Sequence, residues 1–192
     1  MNKIKEMEVY AKAHDIPIME THGIAFMCEF IRTHKIKRIL EIGSAIGYSA
    51  ICMAMLDDEI QITTIERDIE RYTMAVSNIE EMNLQSRIQI VHGDALETIV
   101  EGEFDMLFID AAKAQYIRFF ERYEENLRKG GYIISDNLKF HGYVDHPEMI
   151  TSRNLRQLIR KIKNYIEYLQ NRTDFDTTFI QIGDGVAISE KK

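Results

Sequence analysis

Two apolar runs, FDMLFIDAAK (Phe104–Lys113) and GGYIISDN (Gly130–Asn137), carry an aspartate at the end of the apolar stretch. Near-continuous apolar runs of this length mark strands buried on both faces, as in parallel sheets. A parallel sheet needs long crossover connections, so such runs commit the chain to alternating strands and helices. They also place Asp110, Asp136 and Asn137 at strand carboxyl ends, where open α/β sheets bind their ligands. Neighbouring strands lie about 4.8 Å apart, close enough for acids at two tips to share one cation. Oxygen donors with no Cys or His among them suit a hard ion, Mg²⁺ or Ca²⁺.

The rest of the chain keeps the same rhythm. Helices are expected over Lys3–His14 and about Glu20–Thr33, then strand Arg38–Ile42, helix Gly47–Leu56, strand Gln61–Ile65, helix Ile69–Met82 and strand Ile88–Val91. A short helical turn at Ala95–Ile99 leads into strand Phe104–Ile109, helix Ala114–Leu127 and strand Tyr132–Ser135. This βαβα order predicts an α/β fold, a mostly parallel sheet with helices on both faces. Residues 138–149 then form a polar, aromatic-containing loop, followed by a long helix at Arg153–Gln170. Its apolar stripe is Leu155, Leu158, Ile159, Ile162, Ile166 and Leu169. Gly183-Asp184-Gly185 between β-like segments Thr177–Ile182 and Val186–Ser189 signals a hairpin, hence an antiparallel member at the end of the sheet.

With 192 residues, no repeat and no linker-like tract, one domain over 1–192 is expected. No stretch approaches the roughly 18 apolar residues of a membrane span. The start, MNKIKEMEVYAKAHD, does not read as a signal peptide, so a cytoplasmic protein with no membrane partner is expected. Cys28 and Cys52 both lie in apolar helical patterns and read as buried free thiols. The histidines offer no zinc spacing. A net charge of −7 speaks against a broadly basic nucleic-acid surface but leaves room for a local one.

At the amino-terminal half of the sheet, ILEIGSAIGYSA (Ile39–Ala50) makes a strand-to-helix turn flanked by Gly43 and Gly47. One Gly-x-x-x-Gly is not the three-glycine dinucleotide fingerprint, which argues against a Rossmann-type oxidoreductase. Glu66 follows the second strand, where an acid accepts hydrogen bonds from ribose hydroxyls, and Asp94 and Ala95 follow the third. Singly, each residue has a plainer reading. Asp110 or Asp94 would be a turn cap, Met19 core and Lys113 a solvated lysine.

Taken in order, ILEIGSAIGYSA, TIERD, HGDAL, FIDAAKAQY and ISDN resemble the class I, Mg²⁺-dependent O-methyltransferases of the catechol and caffeoyl-CoA type. Within that family, HDIPIME, DAAKAQY and GDGVAIS resemble the branch that methylates 5-hydroxyuridine in bacterial tRNA. The resemblance implies a Rossmann-like S-adenosylmethionine-dependent fold with a seven-stranded sheet. Gly43 and Ser49 would line the methionine part of the cofactor, Glu66 would hold the ribose, and Asp94 and Ala95 would flank the adenine. Met19 would close over it from the N-terminal helices (residues 1–34), which alternatively form an interface. Asp110, Asp136 and Asn137 would bind Mg²⁺, with Asp110 also near the reactive methyl group. Lys113 matches the family's active-site lysine, as general base or as charged stabiliser of the oxyanion. Ala45 departs from the family, standing where catechol enzymes carry a larger aromatic residue.

The long helix carries Arg153, Arg156, Arg160, Lys161 and Lys163 with no acid between Glu148 and Glu167. Alone this reads as a solvated face; with the tRNA resemblance it becomes a candidate contact for RNA phosphates. The functional expectation is methylation of 5-hydroxyuridine at the tRNA wobble position. The alternatives are a small catechol-like or phenolic acceptor, and a non-catalytic S-adenosylmethionine- or RNA-binding protein. The resemblance also implies a homodimer.

Overall fold

The computed structural model describes residues 2–192. Its strands are β1 (Arg38–Ile42), β2 (Gln61–Glu66), β3 (Ile88–His92), β4 (Phe104–Ile109), β5 (Leu127–Ser135), β6 (Phe175–Ile180) and β7 (Val186–Lys191). They form a mixed sheet in the order β3-β2-β1-β4-β5-β7-β6. Two compact units divide the chain, Met1–Val100 and Glu101–Lys192. No proline- or glycine-rich linker marks the division in the sequence.

In the first unit β1, β2 and β3 pair in parallel, with Ile42 opposite Ile65 and Glu66 opposite His92. The register brings the tips of all three strands to one edge. The helices are α1 (Lys3–Ala13), α2 (Thr21–His34), α3 (Tyr48–Ala54) and α4 (Ile69–Glu81). Asp68 starts α4 by accepting the Glu70 and Arg71 amides, satisfying donors that have no partner inside the helix. Tyr48 Oη donates to Glu8 Oε1 at 2.9 Å, which ties α1 to α3. Residues 95–97 form a single hydrogen-bonded turn, shorter than the expected helical turn at Ala95–Ile99, in which the Glu97 and Thr98 amides close back onto the Asp94 carbonyl. Cys28 and Cys52 are free thiols as expected, though half-buried rather than fully buried.

In the second unit β4 and β5 are parallel, while β7 runs antiparallel to both β5 and β6. The expected helix over 114–127 resolves into three pieces. They are a 3-10 turn at Lys113–Gln115, α5 (Tyr116–Tyr123) and a 3-10 turn at Glu124–Asn126. The chain enters β5 at Leu127, five residues earlier than expected. A register shift against Phe104–Met106 there absorbs Gly130 and Gly131. The long helix, α6 (Arg153–Asn171), starts on Ser152, whose side chain accepts the Leu155 amide at 3.1 Å. Its buried face is Ile159, Ile162, Tyr165 and Leu169, so Tyr165 belongs to the stripe that the aliphatic pattern left out. Phe120 meets Tyr165, Tyr168 and Phe175 edge-on, and Arg172 covers this aromatic cluster while paired with Glu124 and Asp174.

Candidate active site

The first unit builds a cradle at the tips of β1, β2 and β3. After Ile42 the backbone turns through positive φ at Gly43 (94°), Ala45 (45°) and Gly47 (81°). The turn packs tightly: a Cβ on Gly47 would lie 3.3 Å from Ala75 Cβ. The Gly43 amide donates to the Ile65 carbonyl at 2.9 Å, and the buried Asn78 side chain donates to the Ile46 carbonyl at 2.9 Å. Glu66 then fixes the turn to β2. Its Oε2 accepts the Ala45 amide at 2.9 Å and its Oε1 accepts the Asp68 amide at 2.8 Å. Each oxygen keeps a further lone pair for an incoming hydroxyl.

The Gly93 amide reaches the Glu66 carbonyl at 3.0 Å, which brings the Asp94 turn beside Glu66. Asp94 Oδ1 accepts the Leu96 amide at 2.8 Å, so this residue does act as a turn cap, and Ala95 behind it is buried. Ser49 Oγ donates to Glu41 Oε1, as Thr64 Oγ1 does to Oε2, both at 2.5 Å. Glu41, fully buried under the turn, was not picked out as a site residue from the sequence. Its place one residue before the Ile42–Gly43 corner was the available signal. Ser44 was also missed. It is 2% exposed, and its Oγ is a buried polar atom without a hydrogen-bond partner among the described residues. Buried hydroxyls are rarely left so, and this one lies in the turn that the resemblance assigns to the cofactor. Met19 is buried, its side chain packed over Gly23 of α2.

The second unit gathers the acidic residues. Ile109 pairs with Ser135, so Asp110 and Asp136 are the next residues on two adjacent parallel strands. Asp136 is 6% exposed. Burial first, and the Asp110 charge second, push its carboxyl up to about 6, against the opposing effects of the Asn137 amide and Lys113. Two acids held this close, one of them desolvated, form a site that a divalent ion would neutralise. Asn137, at φ 63°, turns the chain as its own amide donates to Asp136 Oδ1 at 2.7 Å. Lys113 Nζ donates to Asp110 Oδ1 at 2.9 Å and lies over the Tyr116 ring. Asp110, Lys113, Asp136 and Asn137 are thus brought together as expected. Among the described residues no three His, Cys, Asp or Glu side chains converge as a metal cluster; the third donor expected here, Asn137, is an amide.

Behind this centre sits a buried support absent from the sequence reading. Tyr116 Oη donates to the Asp136 carbonyl at 3.0 Å, and Ser135 Oγ and Tyr165 Oη share a hydrogen bond of 2.6 Å. The two tyrosine rings meet edge-on at 5.2 Å. The loop after Asn137 is sewn to the final hairpin, Leu138 amide to Gly185 carbonyl at 2.9 Å and Lys139 amide to Asp184 carbonyl at 2.7 Å. Asp184 also accepts the His141 amide. His141 and His146 themselves are exposed.

The whole chain, residues 1–192, matches the O-methyltransferase family model. A catechol O-methyltransferase from Niastella koreensis is 31% identical over 165 residues, covering 80% of this chain and 72% of that protein. A caffeoyl-CoA O-methyltransferase from Stellaria longipes is 26% identical over 199 residues, with 98% and 83% covered. A Staphylococcus aureus structure, provisionally assigned as a caffeoyl-CoA O-methyltransferase, superposes with a TM-score of 0.95 at 37% identity. That match covers 100% of this chain and 93% of the other. A Bacillus cereus O-methyltransferase in complex with SAH gives 0.85 at 27% identity, covering 100% and 91%. The chain belongs to the O-methyltransferase family, and its mixed seven-stranded sheet is the fold of these enzymes.

Proposed function

We propose that this O-methyltransferase uses S-adenosylmethionine and Mg²⁺ to methylate the 5-hydroxyl of 5-hydroxyuridine at the wobble position of tRNA, giving 5-methoxyuridine. The observation that carries the chemistry is the strand-tip pair Asp110 and Asp136 with Lys113 bonded to the first acid. Asp110, Asp136 and Asn137 would hold the metal. When bound, the divalent ion lowers the pKa of the acceptor hydroxyl and orients it. Glu66 would receive the ribose hydroxyls of the cofactor, the Gly43–Gly47 turn its methionine part, and Asp94 and Ala95 its adenine. Asp110 would serve the metal and would also lie near the transferred methyl group, and Met19 would close over the cofactor from the N-terminal side. In the reaction the acceptor oxygen forms a bond to the methyl carbon as the carbon–sulfur bond breaks. The sulfonium leaves as a neutral thioether and the acceptor proton passes to Lys113 or to solvent. Holding the two reactants in line is the larger part of the catalysis such a site offers.

The nucleoside acceptor is supported by its own chemistry. Its ring hydroxyl and neighbouring carbonyl oxygen form a chelating pair much as a catechol does. The motifs HDIPIME, DAAKAQY and GDGVAIS support it further. A second reading, a small catechol-like or phenolic acceptor, is favoured by the names of the matched relatives. The test is nucleoside mass spectrometry after incubating the protein with S-adenosylmethionine, Mg²⁺ and tRNA bearing 5-hydroxyuridine. Metal-dependent 5-methoxyuridine, lost on adding EDTA, is the expected result. Turnover of free catechols with an unmodified tRNA pool would transfer the assignment to the second reading.

A further inference from the structure

The outer face of α6 carries charges that the fold does not use. Arg153, Arg156, Arg160, Lys161 and Lys163 are all exposed, and among the described residues none has an ion-pair partner. Arg153, Arg156, Arg160 and Lys163 recur at i, i+3, i+7 and i+10, so at 100° per residue they fall within an arc of about 80°. They extend over about 15 Å of helix, with Lys161 on the flank.

Such a stripe is unfavourable to the helix that bears it. The first turn contains no acid, so Arg153 and Arg156 face the positive end of the helix dipole uncompensated. Like charges three and four residues apart repel one another. In a chain of net charge −7, the concentration of free cations on one face is a local exception.

We propose that this face of α6 is the docking surface for the phosphate backbone of the RNA substrate. The inference rests on the nucleic-acid acceptor proposed above. Some 15 Å of helix matches about four nucleotides at the 3.4 Å rise of one strand. Phosphate contacts of this kind set register and orientation and leave base recognition to the active site. The helix is well placed to do so. It packs on the Lys113–Gln115 turn, and Tyr165 on its inner face is hydrogen-bonded to Ser135, the residue before Asp136. RNA lying along the outer face is therefore held at a fixed offset from the metal ligands of the same unit. A membrane surface is the poorer partner. An interfacial helix inserts a free apolar face, and here Ile159, Ile162, Tyr165 and Leu169 are committed to the core.

The test uses the full chain and a fluorescent anticodon stem-loop RNA, with anisotropy titrations from about 50 to 200 mM salt. The triple variant Arg156→Gln/Arg160→Gln/Lys163→Gln should bind about tenfold or more weakly. The slope of log affinity against log salt should fall by roughly 2 to 3, at about 0.7 to 0.9 per lost phosphate contact. The charge-preserving variant Arg156→Lys/Arg160→Lys should keep the slope. S-adenosylhomocysteine affinity and circular dichroism check that both variants are folded. A folded triple variant with unchanged RNA affinity and slope would overturn the proposal. So would a wild-type protein with no salt-dependent RNA binding, or variants that lose only binding to phosphatidylserine vesicles. Wild-type protein that binds RNA through these residues yet yields no 5-methoxyuridine would leave the docking surface standing and sink the substrate reading.

Discussion

Burial and the neighbouring Asp110 carboxylate move Asp136 from an ordinary value near 3.8 to about 6. The metal-free fold therefore holds more protons than the unfolded chain between those values, and its stability falls as pH rises through that window. The cost is fully present above about 6 and amounts to roughly 3 kcal/mol. Asp136→Asn should raise the melting temperature of EDTA-treated protein at pH 7.5 and leave it near wild type at pH 4. With Mg²⁺ held as proposed, the same change should remove the stabilisation that the ion would confer. A variant that melts lower at pH 7.5 would show that the carboxylate is not strained by its surroundings. Ser44 gives a parallel case. An unsatisfied buried hydroxyl costs about 1–3 kcal/mol, so Ser44→Ala should raise the melting temperature of the cofactor-free protein. If that hydroxyl is reserved for the cofactor, the same variant should bind S-adenosylhomocysteine several-fold more weakly in calorimetry. Unchanged binding would reduce Ser44 to a packing defect. Asp110, Asp136 and Glu66 were legible in the sequence because strand ends announce themselves. Glu41, Tyr116 and Asp184 were not, because they act on backbone or on buried side chains that only the fold brings near, and Ser44 was not, because its burial without a partner arises only in the folded turn.

At the level of elements, the final hairpin does more than close the sheet. Its Gly183–Gly185 turn receives the Leu138 and Lys139 amides, so it positions the loop that follows Asn137. Gly185 has φ +86°, and a Cβ there would lie 2.8 Å from Lys139 Cγ and 3.3 Å from Lys139 N. Gly185→Ala is therefore expected to cost about 1–3 kcal/mol and to shift the loop. Its signature should be a raised KM for the acceptor with little change in KM for S-adenosylmethionine; equal effects on both would place the loop outside acceptor binding. The sequence made the strand–helix alternation plain because β1, β4 and the end of β5 are mostly apolar and mostly buried. It misjudged the start of β5, where Arg128, Lys129, Gly130 and Gly131 look like turn residues and lie in the register shift between the Phe104–Leu127 and Met106–Tyr132 pairs. It also shifted the hairpin. β6 begins at Phe175, although Asp176 and Asp174 carry no strand signal, since its exposed side chains leave pairing to the backbone.

On the scale of the whole chain, the groups proposed for the two small ligands fall on different units. Glu66, the Gly43–Gly47 turn and Asp94 belong to the first, while Asp110, Asp136 and Asn137 belong to the second. This division makes their contributions separable by hydrogen exchange. S-adenosylhomocysteine held by Glu66 should slow exchange of the Ala45 and Asp68 amides that the same carboxylate accepts. At about 100 times its Kd a ligand adds about 2.7 kcal/mol to global unfolding, or roughly 100-fold protection for amides that exchange by that route. Mg²⁺ should instead act on the Asn137 amide, which donates to Asp136. EDTA is then expected to abolish methyl transfer and the Asn137 effect while leaving the protection at Ala45 and Asp68 intact. Methyl transfer that survives EDTA would remove the metal from the chemistry and return Asp110 and Asp136 to a role in strand-end turns. Loss of cofactor protection along with the metal would show that the cofactor depends on the acidic centre for its own binding.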